Sequence, residues 1–103
     1  MQGKVILEVA CGNMASVHAA VRGGADRIEL CAALGIGGLT PSLAFIIEAI
    51  ENTTIPVAVM VRPREGDFLY DEEEFKMILS DIRTCREVGA AAVVTGFPPK
   101  VEP

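Results

Sequence analysis

The chain has 103 residues, half of them apolar, with 14 acidic against 9 basic side chains and a net charge of −5. That length allows one small domain at most, burying roughly 60–65% of its unfolded surface, and the composition excludes a disordered or disulfide-framework protein. The acidic balance argues against a general affinity for nucleic acid or anionic membranes.

The first apolar run, KVILEV at 4–9, predicts a strand; Glu8 interrupts it and a helix-like segment follows, which is not the pattern of a signal peptide. NMASVHAAVR then sets Met14, Val17 and Val21 at helical spacing, with Asn13 as N-cap and Gly23 as stop. His18, the single histidine, falls on the surface of that helix. RIELC at 27–31 predicts the second strand. The long uncharged stretch LCAALGIGGLTPSLAFII is broken by glycines and a proline, so it reads as loop plus helix and not as a membrane span. Thr40 followed by Pro41 marks the helix start, and Ile46, Ile47 and Ile50 form its buried stripe.

PVAVMVR at 56–62 is almost continuously apolar, as a strand covered on both faces should be. Asp71 with Glu74 has capping-box spacing and opens the longest helix, whose apolar face is Phe75, Ile78, Leu79, Ile82 and Cys85. Gly89 ends that helix and AAAVVTG predicts a fourth strand. The alternation of strands and helices predicts an α/β fold with a parallel sheet. GGADRIEL and VGAAAVVT both run helix, Gly-Ala, two residues, strand, an echo that suits a repeated unit of a (β/α)8 TIM-type barrel. The first strand is not followed by GxGxxG, which makes a Rossmann fold the poorer reading.

The polar residues that propensity does not explain fall at predicted strand ends: Glu8 and Cys11, Glu29 and Cys31, Arg62 and Arg64, Thr95 and Gly96. In a parallel sheet those ends share one rim, where barrels and open α/β sheets build ligand sites. Arg62 and Arg64 are either solvated loop charges or an anion-binding pair facing that pocket, with Glu8, Glu29 or a ligand as counter-charge. A carboxylate inside an apolar strand is costly unless paired, so Glu8 and Glu29 are either ion-paired or candidate acid–base groups. Three cysteines without framework spacing indicate a reducing, cytoplasmic setting. Cys85 belongs to the core. Cys11 and Cys31, just past neighbouring strands, could meet and hold Cu(I) as thiolates, with Met60 as a soft neighbour or simple packing; two thiols do not make a zinc site.

The segments LEVACGNMASVHAAVRGGADRIELCAALGIGGLTPSLAFI and IPVAVMVRPREGDFLYDEEEFKMILSDIRTCREVGAAAVVTG resemble the CutC family of copper-homeostasis proteins, with GGADRIELC, GGLTPS and RPRxGDFxY the most specific parts. The resemblance implies a cytosolic (β/α)8 barrel associated with copper handling and Cu(I) binding. It places Glu8, Glu29, Cys31, Arg62, Arg64, Asp67 and Tyr70 around the barrel mouth, with Cys31 the first copper-ligand candidate and Cys11 the second. Where many members carry cysteine after the Glu-Val pair, this chain has Ala10. The family's barrels run to roughly two hundred residues or more, so residues 1–103 correspond to the N-terminal half, four strands and three helices. FPPKVEP at 97–103 is not expected to extend the sheet. Strands one and four are then open edges through which copies could associate. Three functions follow as expectations: Cu(I) handling, a barrel enzyme or binding protein for a small phosphate or carboxylate metabolite, and a truncated chain without independent activity.

Overall fold

The computed structural model describes residues 5–96. Residue 4 and the closing FPPKVEP segment lie outside the described residues. The elements are β1 (Glu8–Cys11), α1 (Met14–Arg22), β2 (Arg27–Leu30), α2 (Leu43–Glu51), β3 (Val57–Met60), α3 (Glu72–Val88) and β4 (Ala92–Val94), with one 3₁₀ turn at Leu34–Ile36. The four strands pair in parallel in the order β1-β2-β3-β4. The expected α/β architecture of four parallel strands and three helices is present. Among the described residues no helix is long and apolar enough to cross a membrane.

Local chemistry explains the boundaries. Asn13 Oδ1 accepts the Ser16 amide at 2.8 Å and starts α1. At α3 both halves of the capping box are made: Asp71 accepts the Glu74 amide at 2.8 Å, and Glu74 accepts the Asp71 amide at 3.1 Å. Gly89, at φ 96°, ends that helix in the left-handed region where a side chain would be strained. The second helix starts later than Thr40–Pro41: Ser42 is its cap, accepting from the Phe45 amide at 3.2 Å. Thr40 is held elsewhere, its hydroxyl accepting the Arg62 amide at 2.8 Å and donating to the Arg62 carbonyl at 3.1 Å. That tie also ends β3 before Arg62, whose amide bonds Thr40 in place of a neighbouring strand.

Strand side chains alternate between two faces. Cys11, Ile28, Leu30, Val57, Val59 and Val61 face the helices and form one core with Val17, Ala20, Ile46, Ala49, Ile78 and Cys85. Each large aliphatic residue fully buried there contributes about 1.5–3 kcal/mol. On α3 the buried stripe is narrower than its five predicted residues: Ile78 and Cys85 are buried and Ile82 packs against the core, whereas Phe75 and Leu79 are 45% and 43% exposed. His18 is exposed, as expected.

Candidate functional site

The opposite face of the sheet carries the polar residues, and the register orders them in rows. Glu8 stands beside Arg27; Ala10, Glu29, Ala58 and Ala92 form the next row; Met60 pairs with Val94 above it. By the same alternation Cys31, two residues after Glu29, joins the Met60 row, and Arg62 lies one row higher. Successive rows are about 6.6 Å apart.

Cys31 is almost fully buried, and its Sγ donates to Glu29 Oε1 at 3.2 Å. Gly38 closes over it. A Cβ at Gly38 would lie 3.4 Å from both Cys31 Sγ and the Met60 methyl carbon, and its φ of 97° already favours glycine. The Cys31 thiol and the Met60 methyl thus both face Gly38 at the C-terminal rim. Burial, reinforced by the hydrogen bond and charge of Glu29, pushes its pKa up to about 12.

The two arginines have separate tasks. Arg64 is spent on its own loop. It pairs with Glu74 through Nε, pairs with Asp67 Oδ1 at 3.2 Å, and donates to the Asp67 and Leu69 carbonyls at 2.8 and 3.0 Å. Its guanidinium also stacks 5.0 Å from the Tyr70 ring centroid. Arg64 thus staples residues 64–70 to the first turn of α3, and the hydrogen bond to Glu74 raises its pKa further. Arg62 instead meets neutral groups. Nη1 donates to the Ile36 and Gly38 carbonyls at 3.1 and 3.3 Å, and Nη2 to the Gly66 carbonyl at 3.0 Å. Its guanidinium lies 5.2 Å from the Phe68 centroid, and its buried Nε has no partner. A cavity of about 200 Å³ opens beside it, with Met60, Phe68, Val94, Thr95 and Gly96 in its walls.

Three expected placements are corrected, two by the strand register and one by ion pairing. Glu8 opens β1 instead of closing it, and its carboxylate pairs with Arg27. Six residues separate the Arg27 level from Arg62, about 20 Å along the strands, so Glu8 and Arg62 do not converge. Cys11 pairs in register with Leu30 and belongs to the helix-side core, whereas Cys31 lies on the other face. Burial raises the pKa of the Cys11 thiol too. Arg64, expected to share an anion with Arg62, is already neutralised by Glu74 and Asp67. Asp67 and Tyr70 act in that same staple. Glu74 and Arg27 are the counter-charges that sequence reasoning missed; the capping box pointed to Glu74 but not to its second role.

Among the described residues no three His, Cys, Asp or Glu side chains cluster to hold a metal ion. The donors at the rim are instead one thiol and one thioether. That pair suits Cu(I), which soft sulfur ligands select, and does not suit zinc.

A four-stranded parallel sheet backed by helices on one face, with Cys31 and Arg62 at the strand C-terminal ends on the other, is an α/β arrangement that matches part of a (β/α) barrel. The chain belongs to the CutC family, which it matches over residues 5–101. It is 55% identical over 91 residues to a CutC family protein of Klebsiella pneumoniae strain 342, covering 88% of this chain and 37% of that one. A CutC family protein of Aliivibrio fischeri is 50% identical over 90 residues, covering 87% and 36%. The fold also matches the crystal structure of a protein named for copper homeostasis, CutC of Streptococcus agalactiae. There the TM-score is 0.81 at 35% identity, over 90% of this chain and 46% of the other. The chain thus spans little more than a third of the length of these curated relatives.

Proposed function

We propose that this chain forms the N-terminal part of a CutC-type barrel and that this part carries a Cu(I) site centred on Cys31, with Met60 as the second sulfur donor. The observation that supports this most directly is that the buried Cys31 thiol and the Met60 methyl both face Gly38. Cu(I) is the cargo. The thiol must lose its proton to become a ligand, and its hydrogen bond points that proton at Glu29 Oε1. Copper uptake is therefore coupled to proton release, and affinity falls as the pH is lowered. Cys11 contributes core packing and no direct ligand. Three buried free thiols agree with a reducing, cytoplasmic setting for such a site.

Competition with a chromogenic Cu(I) chelator tests this reading. Cys31→Ser should abolish competition, Met60→Leu should weaken binding about tenfold or more, and Cys11→Ser should leave it nearly unchanged. Wild-type affinity in the Cys31→Ser protein would remove the proposal.

A further inference from the structure

We infer that the cavity between the ends of β3 and β4 binds a small monocarboxylate through Arg62 and Thr95. Of the five guanidinium N–H donors of Arg62, three are used by the carbonyls of Ile36, Gly38 and Gly66. Nε–H and one Nη2–H are left. Thr95 Oγ1, in the wall of the same cavity, is also buried without a partner. Buried donors left unmade are costly, and the two residues that carry them, Arg62 and Thr95, both line one space of about 200 Å³.

Charge narrows the ligand class. The groups that hold Arg62 are carbonyls and the face of Phe68, which orient the guanidinium without neutralising it. Among the described residues no ion pair to Arg62 is present. A water would satisfy the donors and leave the charge, whereas a carboxylate satisfies both, one oxygen on the Arg62 fork and the other on the Thr95 hydroxyl. A phosphate dianion brings more oxygens and charge than one arginine and one hydroxyl can meet. Met60, Val94 and Phe68 offer apolar walls for a short carbon chain. At about 30 Å³ per water-sized group, the space takes roughly six or seven of them, the size of a four-carbon acid. Gly96 lets the Phe68 ring approach closely in the cavity wall, since a Cβ there would lie 3.3 Å from that ring. The site needs no copper, because neither Arg62 nor Thr95 is a soft donor.

Titration of the ¹⁵N-labelled chain with sodium butyrate, against matched sodium chloride, tests this by NMR at the Arg62 Nε–H and the amides of residues 94–96. A saturable shift is expected for butyrate and propionate, weakened about tenfold by Thr95→Val and lost with Arg62→Lys. Thr95→Val keeps the side-chain shape and the contacts of the Arg62 loop, so it probes the site even where Arg62→Lys loosens that loop. The inference is overturned by the absence of a saturable shift, by unchanged affinity in Thr95→Val, or by inorganic phosphate binding as tightly as butyrate.

Discussion

Cys31 shows how one register position decides chemistry. Its neighbour across the β1–β2 pair differs by a single residue, yet the two-residue period sends Cys11 into the core and Cys31 to the open face. Two thiols past adjacent strand ends are visible in the sequence; which face each takes requires the register. The pKa of Cys31 also yields a sign. Its folded value, about 12, lies above the ordinary 9.0, so the protonated thiol stabilises the fold fully below the ordinary value. That contribution is lost as pH rises toward 12. Chemical denaturation of wild type and Cys31→Ala at pH 8 and pH 11 should show a larger alkaline loss in wild type. Equal losses would mean that the thiol is not held protonated by the fold.

At the scale of elements, the best-read features were those set by short-range chemistry. The Asp71–Glu74 box, the Gly89 stop and the Asn13 cap all lie within one helical turn of the residues they serve, and each occurs as expected. Asp71→Ala should cost about 1 kcal/mol, measurable by urea denaturation; no change would mean that α3 does not depend on its cap. Long-range ties were not legible. Thr40 looked like a helix start, but its hydroxyl is drawn off by Arg62, 22 residues away, leaving the cap to Ser42. Arg64 reaches ten residues forward to Glu74. Its flat fork serves two carboxylates and several carbonyls at once, a geometry lysine does not reproduce. Hydrogen exchange over residues 64–75 should therefore quicken in both Arg64→Ala and Arg64→Lys. Rescue by lysine would reduce the staple to simple charge pairing.

Over the whole molecule, alternation of strand and helix was enough to predict the parallel sheet, because each apolar run needs helices behind it and each crossover restores the strand direction. The site was less legible. Arg62 and Cys31 lie at the rim as expected, but Glu8 is at the far end, since a strand read as 4–9 in fact begins at Glu8. β1 and β4 each lack a second strand neighbour in the described sheet, and Val5, Ile6, Leu7, Phe75 and Leu79 expose apolar surface. Such edges pair with other chains. Residues 1–103 expressed alone should self-associate with rising concentration in sedimentation velocity, and a monomer at all concentrations would show that these edges are adequately protected.

Sulfur scattering at the copper K edge tests most directly whether the open-face row of Cys31 and Met60 is the metal site. X-ray absorption of the Cu(I)-loaded chain should give two sulfur ligands in wild type and in Cys11→Ser, and one fewer in Met60→Leu. A sulfur lost in Cys11→Ser but retained in Met60→Leu would contradict the assignment of the two cysteines to opposite faces of the sheet.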